Sequence, residues 1–231
     1  MKLLVASGAD INKISNDSDY LDMNHPSPLM HACEQGNIEV VKELIKLGAD
    51  INAATWDLGA TGPYNSPLIA ASTHGHIDLV KFILAHNKFT ARETIPYALI
   101  EAYERKHAEI VERLKGRVDD LNAFYEFDAG SADTPLSKAS EQGQLDSMQL
   151  LLEMGADINA PVDRSGGTAL LSACKFGSVA ATKLLLERGA LVDAVDKEGV
   201  TALMSACRYH DQEVIKSLIS LLVEYGARNF L

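Results

Sequence analysis

The chain is poor in the residues that mark secreted or fibrous proteins. Its 231 residues include three cysteines, seven prolines and one tryptophan, and aromatic residues make up 6%. Three cysteines cannot build a disulfide framework, and an odd count leaves at least one thiol free, which points to a reducing compartment. Basic residues are in deficit, 21 against 32 acidic, giving a formal net charge of −11 and a pI near 5.0. A phosphate backbone would be repelled, so nucleic acid is not expected as the main ligand. No apolar run approaches the roughly 18 residues that span a bilayer, so no membrane anchor is expected. Met1-Lys2-Leu3-Leu4-Val5-Ala6 opens like a signal peptide, but Ser7-Gly8 and Asp10 end its apolar stretch too early for a secretory core. The expectation is a cytoplasmic protein. Hydrophobic residues at 47% and charged residues at 23% match an ordinary globular chain and exclude a disordered chain or a collagen-like fibre.

Catalytic and metal-binding signals are equally scarce. There is no Gly-x-Ser-x-Gly elbow, no Gly-Lys-Ser/Thr phosphate loop and no His-Glu-x-x-His. Gly59-Ala60-Thr61-Gly62 lacks the lysine of a phosphate loop. Asp17-x-Asp19-x-x-Asp22 resembles the start of a calcium loop, but it lacks the central glycine and has Pro28 where the bidentate glutamate belongs. His74-x-His76 is short of a third ligand at metal-binding spacing. No cofactor, no metal and no enzymatic activity are expected.

What the chain does contain is a repeat. Segments start at Ser27-Pro28-Leu29, Ser66-Pro67-Leu68, Tyr97-Ala98-Leu99, Thr134-Pro135-Leu136, Thr168-Ala169-Leu170 and Thr201-Ala202-Leu203, at spacings of 39, 31, 37, 34 and 33 residues. Five residues after each start stands an alanine (Ala32, Ala71, Ala102, Ala139, Ala173, Ala206), and four further on stand Gly36, Gly75, Lys106, Gly143, Gly177 and His210. An apolar cluster follows, and the unit often closes with Gly-Ala-Asp-Ile-Asn, as at 48–52 and 155–159; the same phrase at 8–12 puts half a unit ahead of the first.

A hydroxyl followed by proline suits a helix N-cap and first turn. The alanine implies a crowded helix face, and the glycine a turn with positive φ. Ile38, Val41, Leu44 and Ile45 form one apolar stripe of a second helix. Asp50 and Asn52 suit a turn that bonds its own backbone. The unit therefore reads helix, tight turn, helix, extended finger, and it must stack on copies of itself to bury its apolar faces.

These residues resemble the ankyrin repeat, whose motif is Thr-Pro-Leu-His-x-Ala with a 33-residue period. The resemblance covers residues 1–12 and 27–229 and implies an all-α solenoid in one domain, 1–231, with a concave binding face. Its units lie at about 27–53, 66–90, 97–118, 134–160, 168–194 and 201–229, with long fingers at 13–26, 53–65 and 119–133. No unit keeps the motif's histidine; Met30, Ile69, Ile100, Ser137, Leu171 and Met204 stand there. The unit at 97–118 has lost both glycines, to Lys106 and Val118, and is the weakest copy. Residues 218–225 add about one turn to the last helix.

The resemblance also implies a non-enzymatic module, monomeric on its own, that binds another protein as adaptor, inhibitor or immunity-type neutraliser. The start in mid-unit also fits the targeting part of a larger effector. An enzyme with its site on the inserted loops is the remaining alternative. The two residues before each turn glycine would face the partner: Glu34/Gln35, Thr73/His74, Glu104/Arg105, Glu141/Gln142, Lys175/Phe176 and Arg208/Tyr209. The last two place a cation beside an aromatic, and Arg164 and Lys197 on the adjoining fingers would extend the basic area. The candidate contact residues are His74, Arg105, Lys175, Phe176, Arg208 and Tyr209, together with Trp56 and Tyr64 on the second finger, since aromatic anchors dominate interfaces. Cys33, Cys174 and Cys207 follow the repeat alanine and are expected to pack in the helix interfaces.

Overall fold

The computed structural model describes residues 10–12, 27–53, 66–92, 94–122, 125–126, 132–162 and 165–227. The hydroxyl-led segments become helix starts. Ser27, Ser66, Thr134 and Thr201 each accept a hydrogen bond from the backbone N–H three residues on, at 3.2–3.3 Å. Residues Met1–Asp119 and Asp120–Leu231 form two compact units.

The first unit contains α1 (Pro28–Glu34) and α2 (Ile38–Lys46), α3 (Pro67–Thr73) and α4 (Ile77–Ala85), and α5 (Thr94–Glu104) and α6 (Ala108–Lys115). Within each pair the helices run back over one another, while α3 packs between α1 and α5. Ala71 and Ala102 are wholly buried and Ala32 nearly so, as a close helix approach demands. Leu44, Val41, Leu68, Val80, Ile83, Leu99, Ile110 and Leu114 fill the core.

The second unit contains a two-residue antiparallel pair, β1 (Tyr125–Glu126) with β2 (Ala132–Asp133), followed by α7 (Pro135–Glu141) and α8 (Leu145–Glu153). Then come α9 (Ala169–Lys175) and α10 (Val179–Glu187), and α11 (Ala202–Ala206) and α12 (Gln212–Glu224). Here α9 packs between α7 and α11 around Leu136, Met148, Leu151, Leu170, Leu185 and Leu218. Apart from the small pair in a finger and an isolated bridge between Val195 and Thr201, the described residues are helix and turn, an all-α ankyrin solenoid.

Two sets of side-chain bonds tie neighbouring repeats together. The first joins the turns between paired helices. His76 Nε2 bonds the carbonyl of Glu34 at 2.8 Å, His107 Nε2 that of Thr73 at 3.1 Å, and Ser178 Oγ that of Glu141 at 3.0 Å. Each accepting carbonyl is on the last residue of a first helix, where the intrahelical partner is missing. The donors stand directly after the turn position held by Gly75, Lys106 and Gly177. The second set joins the fingers. Asn12 accepts from Asp50 N–H, Asn52 from Thr90 and Ala91, Asn122 from Asp157 and Asn159 from Leu191, all at 2.8–3.1 Å. In the same phrase Asp10, Asp50, Asp120 and Asp157 accept the N–H of their own asparagine at 2.8–2.9 Å. Arg92 stands two residues beyond Thr90, as Asn52 stands beyond Asp50, and reaches Asp119 by an exposed ion pair of 2.8 Å instead. Such a pair contributes at most about 1 kcal/mol.

Several expectations change. Met30, Ile69, Ile100, Ser137 and Leu171, which stand where the motif has histidine, are buried, at 0–6% exposure. Only in the final repeat is the position open, Met204 being 45% exposed. The third repeat begins three residues earlier than Tyr97, since Thr94-Ile95-Pro96 places proline in the first helical turn and Thr94 Oγ1 bonds the Ala91 carbonyl at 2.7 Å. Thr168 makes no cap bond, and its hydroxyl oxygen is buried without a hydrogen-bond partner among the described residues. The last helix is the long one expected, 13 residues against 9 in α2, α4, α8 and α10.

Lys106 is held at φ +62°, and among the described residues no other non-glycine has positive φ. That conformation costs an ordinary residue about 1–2 kcal/mol, part of which glycine's larger unfolded entropy offsets. Lys106→Gly should therefore stabilise the protein by about 0.5–1 kcal/mol in urea unfolding; a destabilised variant would show that the lysine makes a compensating contact.

Candidate protein-binding site

The turn between paired helices presents the two residues that precede its glycine, and in the second unit these change sign. At the end of α7, Glu141 pairs with Lys138 at 3.4 Å, with both side chains 13–15% exposed. One repeat on, Lys175 takes the glutamate's place and is exposed, its Nζ 5.5 Å from the centre of the Phe176 ring. In the next repeat Arg208, also exposed, takes that place. Among the described residues neither Lys175 nor Arg208 is paired with a carboxylate, whereas Lys138, Lys183 and Lys216 all are.

The two turns are joined by Tyr209. A Cβ added to Gly177 would lie 2.5 Å from Tyr209 Cζ, so the tyrosine ring lies against the glycine backbone beside Phe176. His210 packs on the other side of Tyr209, the ring centres 4.5 Å apart. Phe176 is 38% exposed and Tyr209 half-buried. The short α11 produces this arrangement. With His210 in place of glycine there is no positive φ to close the turn, and the helix ends at Ala206, two residues short of where α9 ends. The result is a Tyr209–His210 ring pair set over Gly177, the residue after the exposed Phe176, with Lys175 and Arg208 nearby in the chain and, among the described residues, without carboxylate partners. Aspartate is close in sequence, but Asp211 accepts the N–H groups of Glu213 and Val214 at 2.9 and 3.2 Å as the cap of α12.

The other expected contact residues are dispersed. His74 is exposed at the end of α3, its Nδ1 donating to the Ala70 carbonyl at 3.0 Å, and its ring stacks on that of His76 with centres 6.3 Å apart. The carbonyl bonds fix the proton on Nδ1 of His74 and on Nε2 of His76. His76 Nε2 is thereby committed to the stack rather than to a metal. Among the described residues no group of three histidine, cysteine or acidic side chains is placed to hold a metal ion. Arg105 is exposed after α5, next in the chain to Glu104. Lys197 is exposed on a finger turn, its N–H on the Ser165 carbonyl at 2.7 Å. Trp56, Tyr64 and Arg164 lie outside the described residues. His210 was not read from the sequence as a contact residue; the signal was its place where four other repeats have glycine.

The cysteines divide. Burial pushes the Cys33 thiol up to about 12, with the charge of Glu34 adding to the effect. Burial likewise pushes Cys174 up to about 11, against a lowering by the hydroxyl of Thr182, 3.7 Å away. Cys207, expected in the helix interface like the others, is exposed instead, because α11 has already ended and Cys207 is its cap. Burial also raises the pKa of Glu101 in α5, with Arg105 lowering it and Glu104 raising it.

The family model "Ankyrin repeats (3 copies)" matches residues 1–93, and "Ankyrin repeats (many copies)" matches 136–186 and 172–223. The chain is 32% identical over 190 residues to the ankyrin repeat and KH domain-containing protein mask-1 of Caenorhabditis elegans, a match covering 82% of this chain and 6% of that protein. It thus spans a small fraction of that relative's length. Among solved structures, the human ASB11 ankyrin repeat domain aligns with TM-score 0.56 and 28% identity, covering 89% of this chain and 86% of that one. A chain from the complex of the Bdellovibrio bacteriovorus endopeptidase Bd0816 with the immunity protein Bd3460 aligns with TM-score 0.54 and 25% identity, covering 83% and 96%. Among the described residues no helix is long and apolar enough to cross a membrane.

Thiol reactivity tests the site's surface. Thiolate is the attacking form, so raised pKa and burial both slow the reaction. One equivalent of iodoacetamide per chain should react rapidly at pH 8 with the native protein, at Cys207, and three after unfolding. Rapid native labelling of Cys174 would contradict the packing of α9.

Proposed function

The chain belongs to the ankyrin repeat family, and from that premise we propose that it is a non-enzymatic, cytoplasmic protein-interaction module. It acts as a monomer and binds one partner protein through its helix-pair turns and fingers, as adaptor, inhibitor or immunity-type neutraliser. The contact residues are Lys175, Phe176, Arg208 and Tyr209 in the second unit, and His74, Arg105, Trp56 and Tyr64 in the first part of the chain. One observation carries this reading: an exposed Phe176 lies under Lys175, the half-buried Tyr209 ring covers the next residue, Gly177, and among the described residues neither Lys175 nor Arg208 is paired with a carboxylate. Stacking explains Tyr209 in part, but it does not explain an open Phe176 held under Lys175. Aromatic anchors bordered by arginine are the usual composition of interface hot spots. Catalysis has no comparable support: His74, His76 and His107 are committed to backbone carbonyls. The small share of mask-1 that the chain covers also suits an interaction segment of a larger protein.

The test is affinity purification with the intact chain, followed by titration of the recovered partner against variants. Phe176→Ala should weaken binding at least tenfold, about 1.4 kcal/mol, with an unchanged melting temperature. Tyr209→Ala should weaken binding and also lower the melting temperature, since its ring covers Gly177. Unchanged affinity in both variants would refute the assignment.

A further inference from the structure

The overall charge of −11 invites the idea of a basic partner, but the cluster at the last two turns points the other way. Resting on the interaction reading above, we infer that this cluster takes an acidic, extended peptide segment of the partner carrying an aromatic or large aliphatic residue among its carboxylates.

The argument is one of charge and shape within the second unit. The residue two before the turn position is Glu141, then Lys175, then Arg208, so the acid is replaced by cations over two successive turns. The acid at the preceding turn and the acid next in the chain are already occupied: Glu141 by Lys138, and Asp211 by the first N–H groups of α12. Lys175 and Arg208 therefore present their charges outward. A cation left unpaired beside an exposed ring offers a carboxylate both attraction and a partly desolvated setting, which strengthens the contact. Phe176, at 38% exposure, supplies apolar surface under Lys175, and the Tyr209–His210 ring pair, set over Gly177, adds to it. The cluster spans two turns, which suits a short segment of chain. Single-stranded nucleic acid also combines stacking with charge, but it tracks a long basic groove. Here the basic stretch is bounded by the ion-paired Glu141 on one side and by the exposed Glu213–Lys216 pair of α12 beyond Asp211 on the other.

The experiment is fluorescence anisotropy with the full chain and four labelled probes. These are a 12-residue peptide of glutamate and aspartate with one central tryptophan, its glutamine/asparagine counterpart, its lysine counterpart, and a 12-nucleotide oligouridine. The acidic peptide should bind at least tenfold more tightly than the other three, and more weakly as salt rises from 50 to 300 mM. Lys175→Glu/Arg208→Glu should lose at least tenfold in affinity, and Phe176→Ala a similar factor. The charge-matched control Lys183→Glu/Lys216→Glu, on the second helices of the same unit, should lose less than twofold. Circular dichroism and melting temperature check that each variant folds. Equal losses in the cluster variant and the control, or a neutral peptide binding as well as the acidic one, would overturn the inference. Tighter binding of oligouridine would replace it with a nucleic-acid site. A recovered partner whose binding falls with Phe176→Ala, yet is not displaced by the acidic peptide, would overturn the inference while leaving the interaction reading intact.

Discussion

The structure depends on one small bond made repeatedly: the side chain just after a helix-pair turn reaches back to the last carbonyl of the preceding first helix. A helix leaves its final carbonyls without partners, and in a stack these ends are pressed against the next repeat, where water cannot serve them freely. His76, His107 and Ser178 supply the missing donors. For the imidazoles to reach, they must lie flat over the preceding turn. A Cβ on Gly36 would be 2.5 Å from His76 Cε1, and one on Gly75 2.6 Å from His107 Cε1. The turn glycine is thus needed twice over, for its positive φ and for the space above it. Where serine replaces histidine the constraint relaxes, Ser178 Oγ lying 4.0 Å from the corresponding point on Gly143.

That constraint also shapes the outer face. The covered turns leave some of the residues just before the glycine open, as at Gln35, His74, Lys175 and Phe176, and there their chemistry is available for recognition. In the last repeat the device is altered. Among the described residues the Tyr209 side chain covers Gly177 with no bond to a carbonyl, α11 ends early, and Arg208 and His210 are exposed on either side of Tyr209 in the chain. Loss of one stacking element and gain of a basic, aromatic surface are the same structural event.

Much of this was legible in the sequence. Hydroxyl caps, the buried alanines, the turn glycines and the lengthened last helix each have one dominant local cause, so their residue types announce them. The start of α5 was hidden because the alanine register at Ala102 pointed to Tyr97, while the first-turn proline lies at Pro96, one residue earlier. Cys207 departs from the packing expected of it because its surroundings depend on where α11 stops, and that follows from a missing glycine four residues further on. The carbonyl-bonding side chains escaped notice because two histidines and a serine share no pattern except the ability to donate one hydrogen bond. Two of the aromatic candidates, Trp56 and Tyr64, lie in the long second finger outside the described residues, where repeat periodicity gives no register to argue from.

The central claim is that the ring of His76 and the bare Cα of Gly36 are one coupled element of the stack. A double-mutant cycle on Gly36→Ala and His76→Ala, read by urea unfolding, measures it directly. Gly36→Ala alone should cost more than about 2 kcal/mol, since strain at positive φ adds to collision with the ring. In the His76→Ala background the same change should cost only the backbone strain, about 1 kcal/mol, leaving a coupling of at least about 1 kcal/mol. Additive costs, with no coupling between the two positions, would contradict the account.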